Sequence, residues 1–336
     1  MRAMSLQKTG SMADNPEPLV PVEVPRPVPA ENEILIRIAA CGVCHTELDQ
    51  IEGRLPTPRL PVIPGHEVVG YVEQVGKAGG RYRAGDRVGV GWIFRSSGGA
   101  GENLSPDFMG TGRDANGGYA EYMAVHERYA YPLPAEFSDA EAAPLLCAGG
   151  VGYRALRLTG LKDGEPLGLA GFGGSGHLVL QLARQRFPAS RVFVFARSPR
   201  ERAFAAELGA AWSGDIDDQP PCLLRAIIDT TPAWRPVVAS MGNLQPGGRL
   251  VINAIRKESH DRHVLADLSY ERHLWLEKEI KTVANVTAAD IVEFLAVAAT
   301  IPLRPEVTTF ALADANIALQ DLRDGELRGA NVLIMK

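Results

Sequence analysis

Cysteine is scarce in this 336-residue chain, with Cys41, Cys44, Cys147 and Cys222 the only four. A disulfide framework is excluded in a chain this long, so reduced thiols or metal ligands are the better reading and the cytoplasm the expected compartment. No apolar run approaches the roughly 20 residues that a membrane span needs. Residues 1–14 lack the apolar core and cleavage pattern of a secretory signal. Lys and Arg are dispersed, and the formal net charge of -5 offers no basic field for nucleic acid or a membrane surface. Internal repeats and low-complexity tracts are also lacking. What is present is the apolar content of an ordinary globular chain, 46%, in a length sufficient for two domains with cores of their own.

The chain changes character along its length. Residues 1–143 read as β-rich, with short apolar runs such as Glu33–Ala39 and Val68–Val75 broken by Gly, Pro and charged turns. Residues 144–286 alternate strand and helix patterns. Pro166–Ala170 and Arg191–Ala196 read as strands, and Gly176–Phe187 and Pro199–Leu208 as helices, the latter closed by Gly209. Ala226–Asp229 and Arg249–Asn253 are further β-type runs. Such βαβ alternation predicts a parallel sheet covered by helices, and an α/β class overall. Residues 287–336 hold one clear helix and a final strand, Asn331–Met335, which is expected to return to the first domain.

Gly171-Phe172-Gly173-Gly174-Ser175-Gly176 fits the G-x-G-x-x-G pattern. With 35 glycines in the chain the pattern alone is weak, but it follows a strand and opens a helix, as the dinucleotide fingerprint requires. Gly171, Gly173, Gly174 and Gly176 would let the backbone approach a pyrophosphate at the helix N-terminus. Cys44, His66 and Cys147 are ligand-type residues separated by 22 and then 81 positions. Two thiolates and an imidazole suit Zn²⁺ and leave a fourth position for a substrate oxygen. Glu47 and Glu67 are candidates to orient the histidine. Taken singly, each has a plainer reading: Cys147 as a small buried hydrophobe, His66 as a hydrogen-bonded strand histidine, and Cys41 with Cys44 as a C-x-x-C pair.

Cys41–Glu47, the Pro64–Gly70 run PGHEVVG, Gly85-Asp86-Arg87-Val88 and the Gly117–Tyr122 run GGYAEY together resemble the zinc-dependent medium-chain alcohol dehydrogenases. The Gly171–His177 turn and the Glu277–Val283 run EKEIKTV extend the resemblance over nearly the whole chain. It looks closest to the bacterial cinnamyl-alcohol and aldehyde-reducing branch. The resemblance implies a GroES-like catalytic domain in residues 1–143 and 287–336 and a Rossmann domain in 144–286. It also implies catalytic zinc on Cys44, His66 and Cys147, with Glu67 beside it and Cys41 outside the set. A zinc-bound alkoxide would pass hydride to or from the nicotinamide, with Thr46 starting a proton relay and Asp49 at its outer end. Trp92 resembles the aromatic that narrows the substrate pocket, and His45 falls among the cofactor-binding positions. The implied substrates are primary alcohols and their aldehydes, and the implied assembly is a homodimer or homotetramer.

This chain departs from the family pattern in three places. Asp49 stands where many relatives have a histidine, and Ala330 where some have a pyrophosphate-binding arginine. The lobe that usually carries four structural-zinc cysteines has none, since no cysteine lies between Cys44 and Cys147. One zinc per chain is therefore expected, with residues 95–118 loosely held. NADP(H) is the expected cofactor, with NAD(H) as the alternative. An acidic residue about 20 positions past the turn would bind the NAD ribose, and Ala196 occupies that place. Arg197, Ser198 and Arg200 follow, with Ser198 read as an N-cap and free N–H groups expected around it. Zinc-free quinone or enone reductases of the same superfamily are the runner-up, although they lack the ligand cysteines and histidine.

Overall fold

The computed structural model describes residues 1–325 and 328–335, in two compact units. One comprises Met1–Cys147, Val286–Thr300 and Arg304–Lys336; the other comprises Ala148–Asn285 and Ile301–Leu303. Residues 144–147 thus belong to the first unit, and Cys147 is its last residue before the chain enters the second.

The first unit is built on a seven-stranded sheet centred on Glu33–Val43. This strand pairs antiparallel with Val68–Val75 along one edge. Its other edge is shared, Tyr122–His126 taking the first half and Ala330–Ile334 the second. Ile34, Ile36 and Ile38, on one face, lie in the core with Cys41, Val68 and Val72, and Leu35 on the other face is also buried, which accounts for its near-continuous apolar run. The last strand brings the tail home, with Leu333 opposite Cys41. Two helices precede it, Ala288–Ala298 and Ala315–Asp324, where the sequence pattern suggested one.

Residues 95–118 make specific contacts. Glu102 is 3% exposed, and its Oε2 accepts from Ser96 Oγ at 2.6 Å. Its Oε1 accepts from the backbone N–H of Ala288, at the start of helix Ala288–Ala298, at 2.6 Å. Tyr129 OH lies 3.0 Å from the same Ser96 hydroxyl.

In the second unit, six parallel strands lie in the order Trp212–Gly214, Val192–Phe195, Leu167–Ala170, Leu224–Asp229, Leu244–Ile252, Glu279–Thr282. Chain order reverses between Leu167–Ala170 and Leu224–Asp229, which makes that gap the switch point of a doubly wound sheet. The strands buried on both faces are short and apolar, such as Val192–Phe195, while the edge strand Glu279–Thr282 is exposed along its length. Among the described residues, no helix is long and apolar enough to cross a membrane.

Candidate active site

Two strand ends and one helical turn deliver the metal-type residues. Cys44 follows Glu33–Val43 and caps helix His45–Ile51. His66 and Glu67 immediately precede Val68–Val75, and Cys147 ends the turn Ala143–Leu146. The ligand atoms of Cys44, His66, Glu67 and Cys147 all lie within 4.8 Å of one another. This is the convergence that sequence spacing alone left open. Glu67 comes as close as the three expected ligands. Gly42 makes room for it, since a Cβ there would stand 1.8 Å from Glu67 Oε2.

Glu47, in the first turn of the short helix, holds two of these residues at once. Its Oε1 is 2.6 Å from His66 Nδ1, and its Oε2 accepts from the backbone N–H of Cys44 at 2.9 Å. With Nδ1 tied to a carboxylate, Nε2 is the nitrogen left for a ligand, and it is buried with no hydrogen-bond partner among the described residues. An orphaned imidazole nitrogen facing two sulfurs and a carboxylate is a donor set that fits Zn²⁺.

The electrostatics of this group reflect the mutual proximity of its members. The hydrogen bond with Cys147 pulls the Cys44 thiol well below its ordinary range, against burial and with help from His66, and holds Cys147 well above it. Burial works against a charged His66, yet the Glu47 and Cys44 charges raise it overall. Burial, reinforced by Cys44, pushes the Glu67 carboxyl up. Of the four, only Cys44 is driven toward its anion, with His66 pushed toward the cation beside it; a bound cation would favour the anionic forms of Cys147 and Glu67 as well.

Thr46 is buried, with its Oγ1 3.7 Å from Cys44 Sγ. Trp92 is 4% exposed and stands edge-on to the His66 ring at 4.9 Å, with Phe108 6.4 Å beyond it. Asp49 is buried and accepts from Arg54 Nε at 2.8 Å, an ion pair that the sequence reading missed. His45 is exposed at the start of its helix. Cys41 is buried outside the metal group, and Cys222 lies 3.7 Å from an Arg191 guanidinium nitrogen.

In the second unit, the glycine turn leads from Leu167–Ala170 into helix Gly174–Arg186, with Gly173 at its N-cap. Gly171 has φ +86, and a Cβ there would meet Thr230 Oγ1 at 2.5 Å. A Cβ on Gly176 would meet the Gly171 carbonyl at 2.7 Å, whereas one on Gly173 would project into open space. The turn therefore folds tightly on its protein side and stays clear where a pyrophosphate would lie.

Ala196 follows strand Val192–Phe195 and is buried. Ser198 caps helix Pro199–Glu207 by accepting from Arg200 N at 3.1 Å, while Ser198 N donates to Glu201 Oε2 at 3.2 Å. The cap thus uses N–H groups that the sequence reading left free for a ligand. Arg202 is committed to the carbonyls of Ala196 and Arg197 and to Asp215. Arg197 and Arg200 are exposed.

Residues 30–135 match the alcohol dehydrogenase GroES-like domain. Over its full length the chain is 41% identical to a probable alcohol dehydrogenase of Mycobacterium tuberculosis, covering 97% of that protein. It is 35% identical to a probable cinnamyl alcohol dehydrogenase of Oryza sativa, over 70% of each chain. The alcohol dehydrogenase of Aeropyrum pernix superposes with a TM-score of 0.86 at 25% identity, over 99% of this chain and 100% of that one. Full-length identity to such relatives, joined to a GroES-like unit and a doubly wound parallel sheet, places the chain among the oxidoreductases of the medium-chain alcohol dehydrogenase family.

Proposed function

We propose that the chain is a zinc-dependent alcohol dehydrogenase or aldehyde reductase that interconverts primary alcohols and aldehydes with NADP(H). The observation that carries this reading is the buried, unpartnered His66 Nε2 facing Cys44, Cys147 and Glu67. Zinc, when bound, supplies a Lewis acid that makes an alcohol proton easier to lose and a carbonyl more electrophilic. Cys44, His66 and Cys147 would hold it, Glu67 offers a further oxygen, and Glu47 fixes the histidine. Thr46 Oγ1, beside Cys44, takes the proton that an alcohol gives up. Asp49 forms the outer end of that relay, with Arg54 fixing its orientation. Trp92, packed on the ligand histidine, crowds a second substituent on the reacting carbon and so favours primary alcohols.

On the cofactor side the glycine turn receives the pyrophosphate. Ala196 adds no negative charge against a 2′-phosphate, and Arg197 and Arg200 offer exposed guanidinium groups for it. With Arg202 occupied and the Ser198 cap closed, side-chain charge supports this preference more than free N–H groups do. A homo-oligomer is supported by the exposed edge strand Glu279–Thr282 and the exposed Tyr270, Trp275 and Leu276 near it. The four free cysteines suit the cytoplasm.

The test is metal analysis of the purified protein together with aldehyde-dependent oxidation of NADPH and NADH, before and after chelation. One zinc per chain, activity abolished by chelation and a higher kcat/KM with NADPH are expected. Metal-independent activity overturns the zinc reading, and two tightly held zincs overturn the expected stoichiometry. Thr46→Ala is expected to lower kcat about 10²–10⁴-fold, as for a lost proton-transfer partner. Thr46→Ser retains the hydroxyl and is expected to lose far less.

A further inference from the structure

The carboxyl edge of the six-stranded sheet carries a buried charge pair that the reaction does not use. Asp229, the last residue of strand Leu224–Asp229, is fully buried. Lys257, whose side chain is 8% exposed, forms an ion pair with Asp229 Oδ2. Its ammonium also donates to the carbonyls of Thr231, at 2.7 Å, and Ala233, at 3.0 Å. All three ammonium protons are thereby used within one turn. The other carboxylate oxygen, Oδ1, accepts from Thr231 N and Oγ1 at 2.9 and 2.8 Å.

The pair fastens the segment after strand Leu244–Ile252 onto the turn after Leu224–Asp229. Two backbone bonds follow the same seam: Asn253 N donates to Asp229 O, and Glu258 N to Pro232 O, both at 2.7 Å. Thr230, within the same turn, donates through N and Oγ1 to Ala170 O. The clamped turn therefore abuts the glycine turn directly. A buried ion pair of this kind adds little net stability over apolar packing, and its main effect is to fix geometry.

In a doubly wound sheet the ligand lies outside the carboxyl ends of the strands and across the switch point. With the pyrophosphate on the Gly171–Gly176 turn, the remaining half of a dinucleotide runs toward the ends of Leu224–Asp229 and Leu244–Ile252. Asn253 is the first residue past the second of these strands, and its Oδ1 is buried without a hydrogen-bond partner among the described residues. It is an acceptor that a ligand N–H would complete.

We propose that Lys257, acting through Asp229, is a positioning residue for the nicotinamide half of the cofactor, holding residues 253–258 so that Asn253 accepts from the ring's carboxamide N–H. This rests on the dinucleotide reading above, and two ligands separate the two ideas. Binding of NADPH and of 2′-phospho-ADP-ribose, which lacks the nicotinamide, is measured by calorimetry on wild type, Lys257→Met and Asn253→Ala. Lys257→Met is expected to weaken NADPH binding about tenfold or more, roughly the loss of one well-placed hydrogen bond, while the fragment binds as in wild type. Asn253→Ala, which leaves the ion pair intact, is expected to show the same selective loss and decides the matter if Lys257→Met does not fold. Equal weakening of both ligands, or unchanged NADPH binding, overturns the proposal. A wild type that binds neither these ligands nor their 2′-hydroxyl counterparts, NADH and ADP-ribose, overturns the dinucleotide reading itself.

Discussion

The group around His66 is made of side chains and is buried, whereas the Gly171–Gly176 turn is made of backbone and opens outward at Gly173. The first gathers two half-buried thiols with a buried imidazole and two buried carboxylates, and each charge there raises or lowers the next. The second holds no ionisable group and owes its shape to the left-handed φ of Gly171 and the close approach behind Gly176. It is preformed by stereochemistry, with or without a ligand. One region is thus shaped by coupled, buried charges and the other by the removal of side chains.

The contrast is sharpest if the two regions can be broken separately. Cys44→Ala should have the largest effect: zinc content and aldehyde reduction fall to background, while dinucleotide affinity in calorimetry stays at the wild-type value. Gly171→Val is the mirror experiment. A β-branched residue at φ +86, facing Thr230 Oγ1, carries strain on the order of 1–3 kcal/mol. Dinucleotide affinity should drop and the zinc content remain. Loss of both functions in either variant would mean that the two sites fold as one cooperative element, and the comparison would fail.

Smaller perturbations refine it. Glu47→Gln leaves every ligand in place but replaces the anion that fixes His66 and caps Cys44. Zinc affinity, measured by competition with a chelating dye, should fall about 10–100-fold, the usual cost of losing a group that orients a ligand. Dinucleotide binding should not respond. Arg197→Ala should produce the smallest change, about tenfold weaker NADPH binding with NADH unaffected, because an exposed guanidinium is well screened by water. Equal effects on the two cofactors would remove Arg197 from the 2′-phosphate site.

The same contrast explains what the sequence makes legible. The glycine turn is contiguous, so its six residues and the flanking strand and helix can be read together, and the element limits differ by only one or two residues. For the metal group the residue types are legible and their meeting is not, because Cys44, His66 and Cys147 converge only through strand pairing and the turn at Ala143–Leu146. Gly42 escaped notice because its role is to leave space for Glu67 rather than to supply an atom. Arg54 carries no motif, and its hold on Asp49 depends on how helix His45–Ile51 ends.

Glu102 ties this architecture to the order in which the chain is made. Its buried carboxylate is satisfied on one side by Ser96, a near neighbour, and on the other by the N–H of Ala288. On the ribosome, residue 102 emerges long before residue 288, and the whole of Ala148–Asn285 is synthesised in between. The strand Ala330–Ile334, which completes the edge of Glu33–Val43, emerges later still. The unit that begins first therefore finishes last: the early strands must wait with an unpaired edge and an unpartnered acid while the parallel sheet folds. A nascent chain halted before residue 288 would carry a second unit lacking only Ile301–Leu303 and a first unit still missing both tail helices and its last strand, with the edge of Glu33–Val43 left open.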